Sequence, residues 1–174
     1  QYPAESKTLM SFPGLTGDTD LTRYPWFRNC EDFVVGVDAP GQMFGWTAVM
    51  RPVERDVFLS LKLTRDIPMT MLWHSNGGRD YPPWSGRHFG CRGVEEGAAA
   101  AVLGTEDDAG LSGRGFITLE PEGMVEIAHA IGAIHWPAES TIDAIEPVGD
   151  HLRVIGGGNE TREIPFDYDA LRPG

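Results

Sequence analysis

The residues best suited to chemistry crowd into one stretch, His74-Ser75-Asn76-Gly77-Gly78-Arg79-Asp80-Tyr81-Pro82-Pro83-Trp84-Ser85-Gly86-Arg87-His88. It joins two segments of strand character and exceeds the ~12 residues beyond which an irregular connection in a compact domain is functional or disordered. Two aromatics and two arginines argue against disorder. Asn76-Gly77 and Gly77-Gly78 permit positive φ and Pro82-Pro83 stiffens the backbone, so the loop is expected to hold one shape. Its chemistry suits a sugar. A pyranose offers hydroxyls to Asn76, Arg79, Asp80 and Arg87, and a face of C–H groups to the rings of Tyr81 and Trp84. The plainer use of the same residues is packing, with guanidinium groups bonded to loop carbonyls. So many polar and aromatic groups on one loop favour binding.

Gly90-Cys91-Arg92-Gly93-Val94-Glu95-Glu96-Gly97 follows at once. Side chains alternate along extended backbone, so only one of Glu95 and Glu96 can look toward the loop, and the other is expected in solvent. The one beside the loop is a candidate base. His74 and His88 flank the loop as candidate proton donors. His88 is preferred, being seven positions before Glu95 and beside Arg87, whose charge eases proton release. His74 lies on an alternating strand and reads as structural. His129, His135 and His151 fall on later strands without visible partners.

These groups need a scaffold, and the sequence points to strands. Glycine (22) and proline (13) are spread throughout the 174 residues, and no window keeps apolar side chains at helical spacing with clean caps. Residues 31–38 and 43–50 read as a hairpin across Asp38-Ala39-Pro40-Gly41. Residues 56–63 place Val57, Leu59, Leu61 and Leu63 on one face and Phe58, Ser60 and Lys62 on the other, a half-buried strand. Further strands are expected at 69–74, 91–95, 116–119, 124–134, 140–146, 151–155 and 161–166. Residues 96–103 form at most a single helical turn. Turn signals at such short intervals predict an all-β fold, an antiparallel β-sandwich, with residues 1–174 as a single domain.

Composition excludes several classes. With 26 acidic against 14 basic side chains the net charge is −12, unsuited to a nucleic-acid surface of the basic-patch kind. No apolar run approaches the roughly 20 residues that cross a bilayer, and the Gln1 end lacks the order of a secretion signal. A cytoplasmic location is expected. Gln1 suggests a chain cut from something longer. Cys30 and Cys91 allow at most one bridge. His88-x-x-Cys91 has no second close pair to complete a metal site. No nucleophile elbow, phosphate loop or dinucleotide fingerprint occurs, and Asn159-Glu160-Thr161 reads as a turn. Asp80 with Glu95 could form the carboxylate pair of a glycosidase, and the same loop could also bind a carbohydrate without turning it over.

The run from Leu72 to His88, with its Trp-x-Ser-Asn-Gly-Gly-Arg and Gly-Arg-His pieces, and Gly93-Val94-Glu95-Glu96 after it, resembles a branch of the galactose mutarotase-like (aldose 1-epimerase-like) proteins. Broader similarity extends from about Thr22 to the C-terminus, where Glu163-Ile164-Pro165-Phe166-Asp167 resembles the closing strand. The resemblance implies a large β-supersandwich with a monosaccharide on its concave face, of which this chain is the C-terminal portion. It implies Glu95 as the catalytic base; the histidine acid of the mutarotases lies upstream, on a strand this chain need not contain. Within the chain His88 takes that role. Such acid/base interconversion of anomers requires no metal or redox cofactor. The expected partner is a monosaccharide or sugar derivative, with no nucleic acid and no membrane, and a homo-oligomer is compatible with the sequence.

Overall fold

The computed structural model describes residues 6–14, 17–24, 29–98, 117 and 119–172. These residues are all-β, with short 3-10 turns at Gly157–Asn159 and Tyr168–Leu171 and no helix long and apolar enough to cross a membrane. The strands are β1 (Phe12–Gly14), β2 (Gly17–Thr19), β3 (Cys30–Val37), β4 (Phe44–Arg51), β5 (Asp56–Leu63) and β6 (Met69–Asn76). They continue as β7 (Cys91–Gly97), β8 (His129–His135), β9 (Ile142–Val148), β10 (His151–Gly156) and β11 (Thr161–Pro165). Four sheets result, in the orders β1-β2, β3-β6-β7, β4-β5-β8 and β11-β10-β9.

The contacts divide the chain into two compact units, Gln1–Val34 with Met71–Glu95, and Val35–Thr70 with Glu96–Gly174. In the second unit the aliphatic face of β5 organises the core. Val57, Leu59, Leu61 and Leu63 are buried there with Ile145, Leu152 and Val154 of β9 and β10, closed by Phe44, Trp136 and Leu171. Side chains of this kind stabilise by about 1.5–3 kcal/mol each when fully buried. Two antiparallel sheets thus share one apolar layer, the packing of a sandwich.

The hairpin expected from residues 31–50 does not form. β3 and β4 exist, yet β3 pairs with β6 and β4 with β5. Asn29 donates its backbone N–H to Asn76 at one end of β3 and Asp38 to Pro68 at the other, so β3 and β6 run antiparallel. The Asp38-Ala39-Pro40-Gly41 turn hands the chain from one sheet to another. Of residues 124–134 only His129 onward is strand, and the earlier part is exposed. The turn expected at 96–103 lies outside the described residues beyond Ala98, and Glu96 and Gly97 belong to β7. Of the strand expected at 116–119, residues 116 and 118 lie outside the described residues, and 117 and 119 are not in a strand.

β5 is buried on both faces near its end rather than half-buried, and the reason is electrostatic. Lys62 is 1% exposed, with Nζ 2.8 Å from Glu96 Oε2, 2.8 Å from Thr70 Oγ1 and 3.1 Å from Asp38 Oδ2. The last contact is an ion pair whose alignment falls short of a hydrogen bond. Gly45, opposite Lys62 in the β4–β5 register, leaves room for the lysine stem, because a Cβ there would sit 2.8 Å from Lys62 Cε. Thr70 and Ser60 also donate to Glu96, at 2.6 and 2.7 Å. Burial pushes the Glu96 carboxyl up, but the hydrogen bonds from Lys62, Thr70 and Ser60 and the lysine charge outweigh it and hold the group below its usual range.

Removing the cation leaves the buried Glu96 carboxylate, and beside it that of half-buried Asp38, without a counter-charge. Lys62→Met is expected to destabilise the protein by about 3–5 kcal/mol despite its apolar side chain, as read from urea unfolding. An unchanged midpoint would contradict this.

Candidate functional site

In the first unit, alternation puts Trp73 and Ser75 of β6 on one face and Gly93 and Glu95 of β7 on one face. The loop after β6 folds onto Trp73. Arg79 carries its guanidinium carbon 4.8 Å from the Trp73 ring centre and 4.9 Å from that of Trp84, so the cation lies against two indoles. Glu31 of β3 neutralises it, Oε1 accepting from Arg79 Nε and lying against Nη2, with a third donor in Trp73 Nε1 at 3.1 Å. Phe33 stacks on Trp73, ring centres 6.0 Å apart and planes within 7°. The His88 ring completes the cluster, 5.1 Å from Trp73 and 5.3 Å from Trp84, with Nδ1 3.0 Å from the buried Ser75 Oγ.

Backbone constraints fix the loop in this shape. Gly77, at φ 83°, donates to the His88 carbonyl at 2.8 Å, and Gly86 donates to that of Arg79 at 2.7 Å. Gly78 lies against the backbone of Cys30, where any Cβ would come within 2.4 Å of a carbonyl carbon, so glycine is required. The Asn76 side chain accepts from Gly90 N–H at 3.2 Å and closes the far end of the loop.

The expected site residues therefore separate into groups. Arg79, Trp84 and His88 come together around Trp73. Glu95 is exposed, and its Oε1 occupies the space over Gly93: a Cβ there would lie 3.0 Å from that oxygen and 3.3 Å from Trp73 Cβ. Asn76 is buried and anchors the loop. Arg87 bonds the loop to itself, donating to the carbonyls of Pro83 at 2.7 Å and Trp84 at 3.3 Å, the packing use weighed for such arginines. Asp80 and Tyr81 are exposed, and among the described residues the Tyr81 ring stacks on no other. Sequence reasoning missed Glu31, Trp73 and Ser75. Their alternation on two strands was visible; what was not was that β3 and β6 would be neighbours.

The adjacent position on β6, His74, points the other way and is fully buried. Its ring lies 5.6 Å from that of Tyr24, and Arg92 Nη2 approaches His74 Nδ1 at 3.4 Å while its guanidinium carbon sits 5.2 Å from the Tyr24 ring centre. Arginine only donates, so His74 Nδ1 accepts and the imidazole is neutral. Burial, reinforced by the Arg92 charge, pushes its pKa down to about 3. Tyr24 donates to the Ser75 carbonyl at 2.8 Å, and burial pushes its phenol up to about 12.

The second unit holds a relay that sequence reasoning also missed. Ser60 Oγ is 2.7 Å from Glu96 Oε1 and 2.9 Å from the Nε2 of exposed His129. The ionised carboxylate only accepts, so the single hydroxyl proton of Ser60 goes to Glu96 and its lone pair faces His129. His129 must then donate from Nε2. Glu96, expected in solvent if Glu95 looked toward the loop, is the buried member of the pair and serves this cluster.

No family model, curated protein or solved structure matches the chain.

Two measurements check these assignments. Below about pH 6.5 the unfolded chain binds a proton at His74 that the native protein resists until about pH 3. Its contribution is thus complete above that upper value and lost as pH falls through the window, by at most about 1.4 kcal/mol per pH unit. Stability of the parent should decline more steeply across that window than that of His74→Gln, as followed by urea unfolding; parallel curves would place the His74 charge elsewhere. For His129, nitrogen NMR of the neutral ring should show the Nε2-protonated tautomer, and Ser60→Ala should release that preference. A proton found on Nδ1 would reverse the assigned direction of the relay.

Proposed function

We propose that the Trp73–Arg79–Trp84–His88 face of the first unit binds a monosaccharide or sugar derivative, and that Glu95 and His88 exchange protons with it to interconvert anomers. One observation carries the reading: His88 packs against the Trp73 ring, and Glu95 Oε1 and Trp73 Cβ both lie within 3.3 Å of the point a Cβ would take on Gly93, so an acid and a base stand near one indole. The half-buried Trp84 ring suits the C–H side of a pyranose, and the exposed Asp80 and Tyr81 lie on the same loop to meet its hydroxyls.

In this reaction a base takes the proton of the anomeric hydroxyl while an acid protonates the ring oxygen, and the C1–O bond opens to the aldehyde. Rotation about C1–C2 presents the other carbonyl face. Reclosure with the proton roles reversed gives the second anomer, with atoms and charge balanced and no redox change. Glu95 suits the first role because it is solvent-accessible and on the platform side. His88 suits the second, since with Nδ1 at Ser75 its Nε2 can carry a proton to the ring oxygen. Each transfer contributes roughly 10²- to 10⁴-fold. This is the chemistry implied by the aldose 1-epimerase-like resemblance of residues 72–88 and 93–96. A cytoplasmic location belongs to the same reading.

A second reading, carbohydrate binding without turnover, is favoured by how much of the site is internally engaged. Arg79 is committed to Glu31, Arg87 to loop carbonyls and His88 Nδ1 to Ser75, which leaves Nε2 of His88 as its nitrogen for substrate. Anomer exchange followed by proton NMR on freshly dissolved aldoses separates the two. Under the enzymatic reading the parent accelerates exchange over buffer, and Glu95→Gln lowers the rate at least 10²-fold while saturation-transfer contacts to the sugar persist. Binding without acceleration removes catalysis, and loss of neither contacts nor affinity in Trp84→Ala removes the platform itself.

A further inference from the structure

β8 closes one side of the β4-β5-β8 sheet, and among the described residues it pairs only with β5. Edge strands are ordinarily protected by lysine, proline, inward charges or bulges, since an open ladder of N–H and C=O groups recruits another strand. β8 has none of these. Its seven residues, His129-Ala130-Ile131-Gly132-Ala133-Ile134-His135, contain no proline and no Lys, Arg, Asp or Glu, and they pair with β5 without a register shift. Ile131 at its middle is 68% exposed, and a Cβ added at Gly132 would meet nothing within 4 Å. A largely apolar edge strand with no bulge, proline, lysine or carboxylate is a surface that expects a partner.

The sequence of the strand identifies that partner. We propose that β8 is a homodimer interface, in which two copies of this chain join their β8 strands antiparallel about a two-fold axis at Gly132 to make the continuous sheet β4-β5-β8-β8-β5-β4. A two-fold relating antiparallel neighbours stands normal to the sheet, so each residue faces one of the same side of the pleat, and the register must centre on a residue. Centring on Gly132 pairs the whole strand from end to end, whereas every other register leaves residues unpaired. It sets His129 against His135, Ala130 against Ile134 and Ile131 against Ala133 of the second copy. Each pair joins a residue to its near-equivalent in the reversed sequence: histidine meets histidine and a small side chain meets a branched one. Gly132 meets itself on the axis, where absence of a side chain lets two backbones approach. The residues just ahead of the strand are exposed and apolar as well, Met124 at 88% and Ile127 at 42%.

The test exploits the Ile131–Ala133 pairing, because both side chains are exposed and variants there leave the buried layer intact. Sedimentation equilibrium of the full chain should give a dimer at micromolar concentration. Ile131→Lys/Ala133→Lys sets lysine against lysine at two symmetric positions and should give a monomer with unchanged far-UV circular dichroism and an affinity at least tenfold weaker. Ile131→Lys/Ala133→Glu sets lysine against glutamate in the same register and should restore the dimer, with a strength that falls as salt rises. A monomeric parent at all concentrations overturns the proposal. So does a dimer indifferent to both variants, which would use another surface, and a dimer lost in both, which would use another register or an unrelated effect of the substitutions.

Discussion

Arg79 is the pivot of the first unit. A guanidinium between Trp73 and Trp84, with Glu31 at its edge, ties a residue from the loop to one from β6 and one from β3. Its charge is half-buried, so it requires both the carboxylate and the ring faces, and each of those is fixed by a different strand. The shape of the long loop follows from this arrangement. Gly78 can press against Cys30 because the arginine draws the chain inward, and His88 returns along the indoles to reach Ser75. The loop is not a lining added to a finished sheet; its residues form the layer that covers Trp73.

The second unit solves an analogous problem with different materials. Its aliphatic layer needs no polar group, but the other side of β5 carries Lys62 and Ser60, which in isolation would be intolerable in the interior. Asp38, Thr70 and Glu96 meet them there, and Gly45 gives the lysine stem space. The result is a polar cluster drawn from several strands, with His129 as its link to solvent through Ser60. Such clusters specify register: a slip of β5 by one residue would exchange Lys62 with the aliphatic face.

How much of this the sequence discloses depends on the distance between partners. β5 was legible because alternation is local, and so was the all-β class, because turn residues recur at short intervals. The fixed shape of the loop was readable from Asn76, Gly77 and Gly78, and the opposed directions of Glu95 and Glu96 from extended geometry. What escaped was non-local. A turn signal at Asp38-Ala39-Pro40-Gly41 says that the chain reverses, not that β3 will pair with β6 instead of β4. Glu31 lies 48 positions before Arg79, so nothing local marks it as the counter-ion. Arg87 and Asn76 looked like ligand contacts because their donors and acceptors are the same ones that loops use to bond their own backbone. The burial of Ser60 and Lys62 was hidden for the same reason as Glu31, since it depends on which strands arrive opposite.

The two units are therefore held by forces with unlike responses to the medium. Aliphatic burial between the β4-β5-β8 and β11-β10-β9 sheets strengthens when a salting-out ion is added, whereas the half-buried Glu31–Arg79 pair is weakened by mobile ions that screen it. Guanidinium chloride goes further than urea, because the denaturant is itself a planar cation that competes with Arg79 for the indole faces. Solution composition thus weighs differently on the two units.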